Sequence, residues 1–480
     1  MKGQLLSKYN AMAVPAKAAL WYMICSILQK GIALITTPIF TRILSAEDYG
    51  LYTVYLSWSD MFIVFISLRL EFSVFNKGMS KYKENRDGYV GSMQIITTIT
   101  SVLFLILYFL FRDQFNSLTE LSTIIMIMIL LKCAVFPSFD FWMLRERYEY
   151  RYIPFVSVTL ALTLLNSVLG LIAVLLFSES GGIARITTDF AVYFVIGVVL
   201  YIINFKKGLK KAKYGYAKFA LLFNIPLIPH YIATYILNQM DRIMIQKMVG
   251  VVQAGIYSVA FCAGMMMNIV STSLINAITP WYYGKLEEGR FEDVKSKFPL
   301  LLFLIGVVIF IFLLFAPEAM MLLAPAEYWE SIYVIPPIAC SIIFSVMYSF
   351  FTIPEFFYDA NKFSMFASGL AAIFNLVSNF VFISMFGYLA AGFTTMGCHM
   401  IMAICHYIYA KKVMKKQGVD FFDKKHIALV YVLVICIIPI TCFLYDYPYL
   451  RYGLALLSMI GLVLFRQTIV ENFKKIRTNS

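Results

Sequence analysis

Charge is what this chain has least of. Asp, Glu, Lys and Arg make up 14% of its 480 residues, against roughly 25% in an ordinary soluble domain. Hydrophobic residues make up 61% and mean hydropathy is +0.78, which excludes a soluble globule and, with it, disorder, collagen and coiled coil. Long loops are missing as well. None of the outer loops carries the carboxylates or histidines that a membrane-embedded glycosyltransferase, polymerase or ligase requires, so an enzyme is not expected. The phosphate-cradling pattern G-x-x-x-x-G-K-[ST] is absent, which excludes ATP hydrolysis by that device, and no motif asks for a cofactor. Cysteine is absent from the loops. Cys25, Cys133, Cys262, Cys340, Cys398, Cys405, Cys436 and Cys442 all fall inside apolar runs, so neither a disulfide framework nor a zinc ribbon is implied.

What is present is a succession of apolar runs. A bilayer-crossing helix needs about 20 mainly apolar residues. Fourteen such runs can be read, at 18–39, 51–72, 91–111, 121–141, 153–177, 185–205, 219–240, 254–276, 299–317, 332–353, 363–385, 390–410, 427–445 and 451–470. Met1 to Leu20 has no small-residue cleavage site before the next loop and is expected to remain as part of the first helix. The fold class is therefore an all-α polytopic membrane protein. The net charge of +13 then needs an account, since in a soluble protein it would suggest nucleic acid. With the N-terminus inside, 31 of the 40 Lys and Arg fall on the cytoplasmic side, from Lys2 and Lys8 to Lys474, Lys475 and Arg477. The opposite side receives Arg42, Arg112, Arg185, Arg242, Lys247 and Arg451. This asymmetry places both termini in the cytoplasm and makes the basic excess a topology signal, with attraction to anionic membrane lipids as a by-product and no role for nucleic acid.

The chain also repeats itself. Gly50-Leu51-Tyr52-Thr53-Val54 aligns with Gly255-Ile256-Tyr257-Ser258-Val259 at an offset of 205 residues, and Arg42 aligns with Lys247. Both copies sit where an outer loop re-enters the membrane as the second helix of a six-helix block. Six is even, so the repeats run parallel. Two six-helix lobes, 1–212 and 213–415, are expected to face a central cavity, with 416–480 supplying two further helices and a cytoplasmic tail.

A charge at mid-bilayer costs at least about 2.5–3.5 kcal/mol on insertion scales, so each one inside a run asks for a reason. Lys30 lies mid-run on a small or polar stripe with Ser26, Ala33 and Thr37. Lys132 lies one turn before Pro137 and two turns before Asp140. Arg69 and Glu71 close the second run, with Asp60 and Ser67 on the face of Glu71, and Asp241 and Arg242 close the seventh. His230 stands between Pro226 and Tyr231, beside Pro229, where a kink is expected to free carbonyls. Each admits two readings, a structural ion pair or a ligand-facing group. Several cations lining one cavity would suit a phosphate or pyrophosphate, which makes Lys30, Lys132, Arg69, Arg242, Arg42 and Lys247 the candidate substrate-binding residues. Asp60, Glu71, Asp140, His230 and Asp241 are the candidates for coupling to H+ or Na+. Cys398, His399, Cys405 and His406 cluster in the twelfth run, but histidines seven residues apart stand about 10 Å apart along a helix, too far to share one metal ion.

At this point the residues resemble a known family. The stretch TPIFTRILSAEDYG from Thr37 to Gly50, the LRLE of Leu68 to Glu71, and PLIPHYIATYILNQMDRIMIQKMVGVVQAGIYSVAF from Pro226 to Phe261 are similar to polysaccharide-type flippases of the multidrug/oligosaccharidyl-lipid/polysaccharide (MOP) exporter superfamily. The resemblance implies a bacterial cytoplasmic-membrane protein. Such a protein moves undecaprenyl-pyrophosphate-linked oligosaccharide to the outer leaflet for O-antigen, capsule or exopolysaccharide assembly, by alternating access, beside a polysaccharide polymerase. Arg42, Arg69, Asp241 and Arg242 fall on its motif positions. A cation-coupled multidrug antiporter of the same superfamily is the alternative, disfavoured because the intramembrane charges are mostly basic. A glycan-building enzyme and a non-transporting scaffold stand further off.

Overall fold

The computed structural model of the chain describes residues 9–360, 362–422 and 424–467. Lys2, Lys8, Lys474, Lys475 and Arg477 lie outside the described residues. Among the described residues fourteen long helices follow one another, one for each apolar run. They are α1 (Val14–Ile43), α2 (Ala46–Ser67), α3 (Arg86–Leu110), α4 (Thr123–Tyr148), α5 (Tyr152–Leu176), α6 (Gly181–Gly208), α7 (Tyr214–Met248), α8 (Val251–Glu287), α9 (Phe291–Leu314), α10 (Ile335–Phe357), α11 (Lys362–Phe386), α12 (Ala390–Lys416), α13 (Lys424–Leu444) and α14 (Pro448–Leu464). Among the described residues twelve stretches are long and apolar enough to cross a membrane, α11 and α12 falling together in one of them, Phe363–Lys416, while α14, with 17 residues, is shorter. The protein is a polytopic all-helical membrane protein.

Local chemistry sets several boundaries. The side chains of Ser45, Asn85 and Ser122 cap α2, α3 and α4 by accepting from the backbone N–H groups of Asp48, Gly88 and Ile125. The kink expected in the seventh run is a 3-10 turn at Ile225–Leu227, which contains Pro226 and leads into the second half of α7. Other boundaries differ from the sequence reading. The segments 206–218, 284–298 and 411–426, expected as the largest loops, are mostly helix, because continued helix satisfies the backbone where the chain leaves the membrane. The second run ends at Ser67 rather than at residue 72, since Leu68 and Arg69 turn left-handed at φ 50° and 52°. Short helices Ser73–Lys81, Arg112–Thr119 and Ala316–Leu323 bridge spans without crossing.

The chain divides into two compact units, Met1–Tyr235 and Ile236–Ser480, and the division falls within α7. In the first unit α3 and α6 touch backbone to backbone: a Cβ on Gly91 would come 2.5 Å from the carbonyl carbon of Gly208. Its basic end is stitched by charge. Asp87 takes Arg145 at 2.6 Å and Lys211 at 2.9 Å, while Glu149 takes Arg145 at 3.3 Å and Arg151 at 3.2 Å. The basic end of the second unit is stitched by rings instead. Phe291, Phe298, Phe350, Phe351, Tyr407, Phe421 and Phe422 pack with centroids 4.5 to 6.0 Å apart.

Candidate functional site

Lys30 stands halfway along α1, exposed, with no hydrogen-bond or ion-pair partner among the described residues. Its stripe neighbours Ser26 and Ala33 are exposed too. An ammonium at that depth without a counter-charge is stable only against water or an anion. Arg42 is exposed at the last turn of α1 and donates from Nη1 to the carbonyl of Pro38 at 2.9 Å.

Lys132 has a different setting. Its Nζ lies 2.5 Å from Asp189 Oδ2, and Asp189 is 1% exposed. The hydroxyl of Tyr55 donates to the same oxygen at 3.1 Å, and Asn166 Nδ2 donates to Oδ1 at 3.0 Å. Arg185 extends the network by donating to Asn166 Oδ1 at 2.9 Å and to the Tyr52 hydroxyl at 2.8 Å, its guanidinium 4.4 Å from the Tyr52 ring. Helix spacing builds this arrangement, since Arg185 and Asp189 are four residues apart on one face of α6 while Tyr52 and Tyr55 come from α2. Neither Asp189 nor the burial of Arg185 was read from the sequence. Asp189 lay inside the sixth run, where any carboxylate signals a partner, and Arg185 was assigned to the outer side although it is buried with its guanidinium against Asn166, Tyr52 and Phe40.

A third group closes α2. Ser67 Oγ donates to Glu71 Oε1 at 3.2 Å, and Arg69 Nη1 lies 3.3 Å from the same oxygen and 5.1 Å, by its guanidinium carbon, from the Phe72 ring. Glu71 Oε2 is buried without a hydrogen-bond partner among the described residues. Asp140 lies within electrostatic reach of both Glu71 and Arg69, and Asp60 is exposed on α2. The left-handed corner at Leu68 is held from α7, where Asn224 Nδ2 donates to the Leu68 carbonyl. Half-buried His230 follows on the same helix, its Nδ1 without a hydrogen-bond partner among the described residues.

In the second unit Asp241 is 1% exposed and surrounded by neutral groups. Tyr257 and Thr395 donate to Oδ2 at 2.8 and 2.6 Å, while Asn379 and Asn375 donate to Oδ1 at 2.7 and 3.3 Å. Its neighbour Arg242 turns elsewhere, to Ser258 Oγ at 3.1 Å, to Gln239 Oε1 at 2.9 Å and over the Phe261 ring. Lys247 is exposed. The structure thus separates the candidates. Arg69, Glu71 and Asp140 come together, Lys132 joins residues not foreseen, Asp241 gathers polar neighbours, and Lys30 and Lys247 stand apart.

Comparison with known proteins follows from this fold. Residues 16–283 match the family described as polysaccharide biosynthesis protein. A Haemophilus influenzae protein named Lsg locus putative protein 1 is 22% identical over 280 residues, covering 57% of this chain and 67% of its own length. An uncharacterized membrane protein of the same organism is 19% identical over 364 residues, 74% of this chain and 87% of that one. Among solved structures, the lipid II flippase MurJ in an inward closed conformation superposes with a TM-score of 0.69 at 12% identity, over 94% of this chain and all of that one. An inward-facing MATE family multidrug transporter of the MOP superfamily superposes with a TM-score of 0.62 at 12% identity, over 84% of this chain and all of that one. The chain belongs to the polysaccharide biosynthesis protein family and carries the fold of the MOP superfamily.

Proposed function

We propose that this protein is a flippase that carries undecaprenyl-pyrophosphate-linked oligosaccharide units across the bacterial cytoplasmic membrane by alternating access, with both termini in the cytoplasm. Family membership and the superfamily fold support a carrier. The observation that supports an anionic headgroup is Lys30, a mid-membrane ammonium with no partner among the described residues. A pyrophosphate would satisfy it through charge-assisted hydrogen bonds. Arg69, Arg42, Arg242 and Lys247 stand next in line. Lys132 ranks last among the cations, because freeing it from Asp189 would leave a buried carboxylate unpaired at a cost of about 3–5 kcal/mol.

Asp241 is the coupling candidate we favour over Asp60, Glu71, Asp140 and His230. A buried carboxylate ringed by amide and hydroxyl groups that can reorient suits a proton or a small monovalent cation. The same feature would serve a cation-coupled drug antiporter, and substrate decides between the two. In a complementation strain, Lys30→Ala is expected to make lipid-linked repeat units accumulate on the inner leaflet and to reduce surface polymer at least about tenfold, with Lys132→Ala judged beside it. Normal leaflet distribution and normal polymer in Lys30→Ala would remove the basis for this reading.

A further inference from the structure

The second unit buries another ionisable pair, which neither the anion reading nor Asp241 uses. Glu355, in the last turn of α10, is 0% exposed, and His406 of α12 is 1% exposed. His406 Nδ1 lies 2.9 Å from Glu355 Oε1 and 3.1 Å from Oε2. Its other nitrogen, Nε2, is also buried and has no hydrogen-bond partner among the described residues. The Tyr348 ring from α10 stands 6.0 Å from the imidazole, and the Phe363 ring from α11 stands 5.9 Å from it, backed by Tyr409 at 4.2 Å.

The protonation states of this pair can be enumerated. With a carboxylate facing a neutral imidazole, Nδ1–H donates to the carboxylate and Nε2 holds an unused lone pair, so a net negative charge is buried. With an imidazolium, the pair is neutral but Nε2–H is an unused donor. With a carboxylic acid donating to Nδ1, Nε2–H is again unused. Every state leaves one buried polar atom unmatched, whereas a purely structural pair would have both nitrogens satisfied. An atom unmatched in one conformation is the mark of a group that meets its partner, here water, in another.

The surroundings do not lock one state. His406 is the charged group that bears on the Glu355 carboxyl. From α10 the facing titratable group is Tyr348, and from α12 it is His399, whose ring is 6.4 Å from Tyr348 and whose Nδ1 contacts the Thr395 carbonyl at 3.0 Å. From α11 the facing side chain is Phe363, which does not titrate. Lys285 of α8 is committed to Glu288 at 2.5 Å, and Tyr431 of α13 to the Met400 carbonyl at 2.9 Å. Thr395, His399 and His406 share one face of α12, so the pair lies about 16 Å along the axis from the Asp241 cluster.

We propose that Glu355 and His406 form a proton-binding site of this carrier, taking up one proton and releasing it in each transport cycle. The inference rests on the carrier reading above. The proton comes from water, bonds to the Nε2 lone pair and turns the imidazole–carboxylate pair into imidazolium–carboxylate. Loss of the same proton to water on release restores the starting pair, and no other bond is made or broken.

Two measurements test it. The chain has four histidines, so the imidazole nitrogen signals of the full chain, histidine-labelled and held in lipid nanodiscs, can be assigned by the loss of one in His406→Gln. The His406 signal is expected to change with pH between about 5 and 8, and its response to differ in Glu355→Gln. In proteoliposomes, flipping of a fluorescent undecaprenyl-pyrophosphate-linked oligosaccharide is expected to respond several-fold to an imposed pH gradient, and the response to vanish in Glu355→Gln and in His406→Gln. A His406 signal that stays flat over that range overturns the proposal, as does a gradient response unchanged in both variants. If the wild type flips none of this probe, the substrate reading falls, and the titration alone then upholds or overturns the proton site.

Discussion

The two units build buried polar clusters from matching positions and give them opposite characters. Tyr52 and Tyr257 stand at the same place in the repeated G-[LI]-Y-[ST]-V, on α2 and α8. In the first unit the Tyr52 hydroxyl accepts from Arg185, and the carboxylate of Asp189 is matched by the ammonium of Lys132. In the second unit the Tyr257 hydroxyl donates, and its partner Asp241 is matched, among the described residues, only by the neutral donors Tyr257, Thr395, Asn375 and Asn379. A hydroxyl both donates and accepts, so one tyrosine position serves either sign. The difference teaches that the first unit carries its own cation as a fixed part, whereas the second answers its carboxylate with neutral donors.

The comparison can be broken with matched substitutions. Asp189→Asn leaves the Lys132 ammonium buried without its counter-charge and is expected to lower stability by about 3–5 kcal/mol, read from denaturant or thermal unfolding in detergent. Lys132→Met added to it should recover much of that loss. Asp241→Asn keeps shape and strands no cation, so its expected loss is smaller, about 1–2 kcal/mol. Any rise in unfolding midpoint that Na+ or acid gives the wild type through this cluster should vanish with it. Equal losses at 189 and 241 would show that the tethered cation makes no difference. The smallest effect is expected at an ion pair beyond both clusters. Arg451, 3% exposed, donates to both Glu318 oxygens at 2.6 Å. Burial opposes ionisation of Glu318, but the hydrogen bonds from Arg451 and Tyr452 outweigh it and hold the carboxyl below its ordinary value. Its contribution is therefore complete above the ordinary carboxylate range and lost as pH falls through the lower folded value. Wild type should lose more stability on acidification than Glu318→Gln, by less than about 1 kcal/mol because the pair is partly in solvent.

Much of the fold was legible because the signal is additive. Twenty apolar residues announce a span whatever they touch, and each of the fourteen runs became a helix. Lys30 was legible for the same reason, since its depth follows from its place in the run. Partners were not. Asp189 lies 57 residues from Lys132 and Glu355 lies 51 from His406, and no local pattern ties either pair together. The end of α2 was misplaced because Leu68 and Arg69 enter a left-handed conformation with no glycine, asparagine or proline to announce it. Arg185 and Arg451 were assigned to the outer side because hydropathy does not distinguish a cation at the membrane surface from one buried among the helix ends.

That left-handed corner has a consequence for how the protein is made. Two non-glycine residues in this region cost of order 1–3 kcal/mol each, so α2 on its own favours running on as helix through Leu68 and Arg69. Locally, Ser67 Oγ accepts from the Arg69 N–H at 3.0 Å and the Ser67 carbonyl from the Leu70 N–H at 3.1 Å, and the long-range bond to the turn comes from Asn224, 156 residues later in the chain. While the ribosome is still adding α3 to α6, only the local bonds oppose that helical preference. The order of synthesis therefore gives this corner its long-range support only when the first half of α7 enters the membrane.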